Sequence, residues 1–84
     1  MEKKPVGIVV HFFPKISVAV VELNGELKVG DMILILGPHT NVEQVVASMQ
    51  IEKLMVPAAK KGQSIGLKVL GRVHEKDEVF QLSV

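Results

Sequence analysis

The sequence predicts an all-β domain, on three observations. Val, Ile and Leu dominate its apolar content and only three aromatic residues occur, Phe12, Phe13 and Phe80, so aliphatic side chains must fill the interior; branched aliphatics favour strands. Short apolar or alternating runs recur along the chain. Turn signals at Asn24-Gly25, Gly30-Asp31 and Gly37-Pro38 separate these runs at short spacing, as in a meander or barrel.

Each element follows from its residues. Residues 6–13 form an apolar run broken only by Gly7 and His11, suited to a buried strand. Pro14 ends it, since proline cannot donate to a ladder. Residues 16–23 give a second strand with apolar residues on both faces. Asn24-Gly25 reads as a turn needing positive φ. Residues 26–31 alternate and close on Gly30-Asp31, and residues 32–36 make a third strand ended by Gly37-Pro38. Residues 40–50 read two ways. As a helix, Thr40 and Glu43 match a capping box and Val42, Val45, Val46 and Met49 share a face. As a strand, Val45, Ala47, Met49 and Ile51 alternate with Val46, Ser48 and Gln50. Residues 56–62 read as an irregular or helical turn ended by Gly62. Residues 64–70 alternate, with Ile65, Leu67 and Val69 on one face, and Gly71 breaks the run. Residues 74–78 (His74-Glu75-Lys76-Asp77-Glu78) read as a solvated loop, and residues 79–84 as a last strand.

At 84 residues the chain has room for one domain, residues 1–84, with residues 1–5 expected as a flexible N terminus. The hydrophobic share of 48% and charged share of 23% suit a globular core. A net charge of +1 excludes the large basic excess of a protein that neutralises many phosphates, so any nucleic-acid contact would need a local patch. Cysteine is absent, which excludes disulfides and thiolate metal sites and fits the cytoplasm. No membrane span or signal peptide is visible.

Two segments carry a resemblance. Gly25-Glu26-Leu27-Lys28-Val29-Gly30-Asp31 resembles the "G-x-[apolar]-K-V-G-D" signature in the second domain of elongation factor Tu and its relatives. Ala59-Lys60-Lys61-Gly62-Gln63-Ser64-Ile65-Gly66-Leu67-Lys68-Val69 resembles that domain's "A-x-x-G-[DEQ]-x-V-G-L-x-[apolar]" signature. Small free-standing translation-elongation-factor-like proteins are similar, and a similar barrel occurs as a terminal domain in one group of collagenase-like peptidases. The resemblance implies a closed antiparallel β-barrel of six or more strands, and makes residues 40–51 a strand. It implies close backbone approach at Gly66. It also implies a non-catalytic binding module for transfer RNA or ribosomal RNA, with Ser64 and the neighbourhood of Glu52 and Lys53 at the matching contact positions. No G-x-x-x-x-G-K-[ST] loop is present, so GTP binding by this chain is not expected. The alternative is a protein-interaction barrel that docks to a separate enzyme or self-associates.

The binding candidates are Lys53, Lys60, Lys61, Gly62, Gln63, Ser64 and Arg72, with Lys68 beside them. Lysines gathered on one face would give salt-sensitive affinity; spread apart, they would serve solubility. Phe12-Phe13 and Leu54-Met55-Val56 exceed what a small core needs, so one of them is a candidate contact patch. His11, His39 and His74 lack zinc-ligand spacing, and His11 reads as an interior or edge residue with an ordinary hydrogen bond. No residue set specifies catalysis, and no metal or cofactor is expected.

Overall fold

The computed structural model describes residues 2–83. Ten strands follow one another: β1 (Glu2–Phe13), β2 (Val18–Leu23), β3 (Leu27–Lys28), β4 (Met32–Gly37), β5 (Thr40–Val45), β6 (Met49–Ile51), β7 (Leu54–Val56), β8 (Ala58–Ala59), β9 (Ser64–Lys68) and β10 (Glu78–Ser83). The described residues contain no helix, and the all-β expectation holds. Eight strands form one antiparallel sheet in the order β5-β4-β10-β1-β2-β9-β6-β7, and β3 pairs with β8 in a separate two-stranded ribbon.

Alternation of branched residues builds these strands. Along β4, Ile33 and Ile35 turn inward; along β9, Ile65 and Leu67 do so. Their side chains join Val6, Val9, Val21, Leu27, Met49, Val69, Val73 and Val79 in one aliphatic core. β1 is long enough to pair with β10 through its first half and with β2 through its second. Register shifts between Pro5 and Gly7, and between Val9 and His11, let it bend around that core. Glu2 to Pro5, where a flexible terminus was expected, stand opposite Phe80 to Ser83 in the β1–β10 ladder; Met1 lies outside the described residues.

Several expectations are corrected. The helical reading of residues 40–50 gives way to two strands, β5 and β6, separated at residues 46–48. Thr40, the would-be helix cap, places its hydroxyl 2.9 Å from His74 Nδ1 instead. Residues 56–62 hold the end of β7, then β8 and a turn, with no helical turn. Positive φ falls at Gly30 and Gly62 and not at Gly25. A Cβ on Gly66 would meet Val18 Cγ1 at 3.5 Å, an ordinary contact, so close approach does not require glycine there. Gly7 and Gly37 are positions that do: a Cβ on Gly7 would lie 2.9 Å from the Glu22 carbonyl oxygen, and one on Gly37 would overlap the Asp77 carboxylate. Asp77 itself, assigned to a solvated loop, is 2% exposed. Its Oδ2 accepts the His74 N–H at 2.8 Å, and its carbonyl accepts the Val9 N–H at 2.8 Å, so this loop is stitched to β1.

The expected closed barrel is also corrected. The sheet ends on β5 and β7, and neither pairs with the other. The sheet nevertheless curls far enough to bring β5 against the chain leaving β9, with four strands between them in the ladder order. Gln44, 5% exposed on β5, spans that seam: its Nε2 donates to the Lys68 carbonyl at 2.9 Å and its Oε1 accepts the Leu70 N–H at 2.8 Å. Nearby, the Gly30 N–H donates to the Val46 carbonyl and the Val46 N–H to the Asp31 carbonyl. One side-chain amide and isolated backbone bonds thus do what a ladder would do in a closed barrel, because Gln44 occupies the width of the gap.

Two stability predictions follow from this geometry. Gln44→Leu leaves the Lys68 carbonyl and Leu70 N–H without partners at the seam, at about 1–3 kcal/mol for each group left unsatisfied; urea unfolding should show a lower midpoint. Glu52 and Lys53 both adopt positive φ, 51° and 68°, in the two-residue turn joining β6 to β7. Non-glycine residues are strained there. Lys53→Gly should raise stability by up to about 1 kcal/mol, the relief being partly offset by a more flexible unfolded chain; thermal unfolding checks the sign.

Candidate functional site

The β3–β8 ribbon brings together the two signature segments. Leu27 pairs with Ala59 and Lys28 with Ala58. Leu27 and Ala59 point into the core, so Lys28 and Ala58 point outward. Glu26 and Lys60, each one residue beyond the paired positions, line the same groove. The groove therefore carries two lysines, a glutamate and, at Ala58, only a methyl group. The missing bulk of Ala58 leaves a groove of about 380 Å³ lined by Glu26, Lys28, Ala58, Ala59, Lys60 and Gln63.

Local hydrogen bonds fix its walls. The Asp31 carboxylate accepts the Lys28 N–H at 2.9 Å and the Gln81 amide at 2.8 Å. On the other wall, Gln63 Oε1 accepts the Lys60 N–H at 2.8 Å while the Gln63 N–H donates to the Lys60 carbonyl at 3.1 Å. Gly62, at φ 92°, allows that reversal. The turn is anchored to β2 by the Gly62 N–H to Leu23 carbonyl bond and the Leu23 N–H to Gln63 carbonyl bond. Among the described residues, neither Lys28 nor Lys60 forms an ion pair.

Of the residues singled out in the sequence, Lys60, Lys61, Gly62 and Gln63 share this turn, and Ser64 opens β9 directly after it, opposite Glu22. Lys53 lies on the β6–β7 turn and Arg72 in the segment between β9 and β10. Lys68 is occupied elsewhere, its Nζ donating to the Ile16 carbonyl at 2.7 Å. Glu26, Lys28 and Ala58 were not among the candidates. The signal for Glu26 and Lys28 was their alternation about Leu27; the signal for Ala58 was absent, since its importance is the space it leaves opposite Lys28.

Other features fall outside the groove. His11 Nδ1 lies 3.5 Å from Glu75 Oε2, both side chains half or more exposed, and its ring meets Phe13 edge-on at 4.3 Å. Phe12 packs on the core while Phe13 is half-exposed. Leu54 and Met55, on the terminal strand β7, are 70% and 63% exposed. His74 Nδ1 faces both Thr40 Oγ1 and, at 3.8 Å, Asp77 Oδ2. A hydroxyl–imidazole–carboxylate relay needs its two partners on opposite ring nitrogens, so this trio locks a loop. Among the described residues, no three His, Asp or Glu side chains cluster as metal ligands, and no helix is long and apolar enough to cross a membrane.

This curled antiparallel architecture matches a class of known domains. The structure superimposes on the C-terminal domain of a Geobacillus thermoleovorans protein described as a U32 peptidase, with a TM-score of 0.87 at 22% identity, covering 93% of this chain and 91% of that one. A selenomethionine variant of the same domain gives a TM-score of 0.86 over 90% of this chain and 96% of that one. At the sequence level the chain is 49% identical over 81 residues to an uncharacterized protease of Methanocaldococcus jannaschii, covering 95% of this chain and 20% of the protease. It is 37% identical over 82 residues to a collagenase of Porphyromonas gingivalis, covering 95% of this chain and 23% of the collagenase. The chain thus spans about a fifth of the length of the curated relatives it matches. No family model matches it.

These likenesses correct the functional expectations. The resemblance to the second domain of elongation factor Tu is overturned, and with it the reading of a translation-related module for transfer RNA or ribosomal RNA: the relatives are named protease and collagenase, and the structural neighbours are peptidase domains. The expectation of a protein without an enzymatic role is overturned by the same names. The glycine-bounded signatures misled because they record turns and ribbon pairing, which carry no information about the partner.

The groove's wall gives a direct prediction. Gln63→Ala removes the acceptor of the Lys60 N–H and should cost about 1 kcal/mol, seen as faster amide exchange at Lys60 with the core amides of β1 and β2 unchanged.

Proposed function

We propose that residues 1–84 constitute one domain that serves a U32-type peptidase by docking protein, either onto the remainder of the enzyme or onto its polypeptide substrate. The observation that carries this reading is 49% identity across 95% of the chain to a protease of which it represents a fifth. The fold likeness to an isolated peptidase C-terminal domain supports it. In this reading Lys60, Lys61, Gly62, Gln63 and Ser64 supply the contact surface around the groove, while Lys53 on the β6–β7 turn and Arg72 between β9 and β10 would contribute separately. The lack of cysteine favours the cytoplasm as the place of work.

A second reading, self-association, draws support from β7. It ends the sheet, pairs only with β6, and exposes Leu54 and Met55; terminal strands of this kind recruit further strands. Two exposed side chains fall far short of the roughly 800 Å² per partner of a stable interface, so docking to a peptidase is preferred.

The test uses the Methanocaldococcus jannaschii protease with its matching fifth removed. Adding this chain in trans should produce a complex in sedimentation velocity and raise cleavage of a gelatin substrate above that of the truncated enzyme alone. A chain that sediments as an unaltered monomer and leaves cleavage unchanged would overturn the docking role; a chain that only dimerises would favour the second reading.

A further inference from the structure

We propose that the β3–β8 groove binds an acidic side chain presented by an extended peptide segment, its carboxylate seated over Ala58 between Lys28 and Lys60. This deepens the docking role proposed above by naming what the same surface takes. The argument is geometric. Cross-strand neighbours on one face of an antiparallel pair stand about 5 Å apart and diagonal ones about 7–8 Å. Lys28 stands opposite Ala58, Lys60 lies two residues along from Ala58, and both lysines line the groove over that methyl group. A carboxylate placed there meets two ammonium groups that have no anionic partner among the described residues. Gln63 holds the Lys60 backbone in place through its Oε1, so the second ammonium projects from a fixed turn.

Glu26 decides the class of ligand. It lines the same groove, one residue before the β3–β8 pairing begins. A polyanion such as a nucleic-acid backbone would bring successive phosphates past that carboxylate and be repelled. A peptide carries its negative charge at one side chain and offers N–H groups on either side, which Glu26 can accept. The small floor of Ala58 and Ala59 lets a backbone come close. One anion flanked by donors is the pattern that this arrangement complements, and charge-assisted hydrogen bonds of this kind are about twice as strong as neutral ones.

Fluorescence anisotropy of the intact chain at low salt tests this. The probe is a fluorescein-labelled, C-terminally amidated Ala-Val-Glu-Val-Ala peptide, with its Glu→Gln analogue and its free-acid form as comparison arms. The Glu peptide should bind about tenfold more tightly than the Gln analogue, and the amidated and free-acid forms equally. Lys28→Met and Lys60→Met should each remove most of that preference; Lys15→Met should not. Glu26→Gln should weaken the Glu peptide severalfold and let a short single-stranded RNA bind more tightly, a gain that misfolding could not produce. Equal affinity for the Glu and Gln peptides, binding that requires the free C-terminal acid, an equal loss in Lys15→Met, or displacement by a short single-stranded RNA at comparable concentration would each overturn the proposal. The docking test in trans reads complex formation independently, so a failed groove with a persisting complex separates this proposal from the role it rests on.

Discussion

A sheet that curls around one aliphatic core carries its terminal strand β5 toward the chain leaving β9, and the backbone polar groups where they meet must be satisfied without a continuous ladder. In this protein that constraint falls on Gln44. Its amide mimics a peptide unit, donating to one backbone carbonyl and accepting one backbone N–H across the gap. An unsatisfied buried donor or acceptor is costly, so the curvature of the whole sheet depends on that one polar side chain being inward and paired. The hydrophobic cluster around it is then built almost wholly from Val, Leu, Ile and Ala.

The seam also explains where the binding surface lies. β3 and β8 are not part of the main sheet; they form a ribbon of their own beside it. Val46 is bound to Gly30 and Asp31 just after β3, and Val29 donates to the Pro57 carbonyl just before β8. These bonds hold the ribbon to the seam. Its inner face contributes Leu27 and Ala59 to the core, which frees its outer face to carry charge. A rigid base under an exposed, mixed-charge face is a sound arrangement for recognition, because little conformational entropy is lost when a partner arrives.

The burial of Asp77 has a related logic. A carboxylate at 2% exposure beside Gly37 is tolerated because the His74 N–H donates to it and the His74 ring faces it, and because glycine leaves it room. The loop it organises returns hydrogen bonds to Val9, at the place where the register of β1 shifts. Position 37 and position 77 are thus one unit, although in the chain they look like a turn residue and one charge in a polar run.

Much of the fold was legible in the sequence. Alternation along residues 64–69 is a local property, fixed by which side chains neighbour one another along an extended chain, and it specified that strand and its inward face; the apolar runs 16–23 and 32–36 were legible as strands but not in which face turns inward. The Gly30-Asp31 turn and the reversal at Gly62 were legible for the same reason. Residues 40–50 were ambiguous because a run of valines fits both periods, and only the partners available in space, Met32 to Gly37 on one side, select the strand. The closure of the sheet, the burial of Asp77 and the groove over Ala58 were decided by the tertiary structure. Each rests on residues distant in sequence, Gln44 with Lys68 and Leu70, Gly37 with Asp77, Lys28 with Ala58 and Lys60. Whether two such residues meet is set by how the sheet curls, and periodicity along the chain carries no record of that.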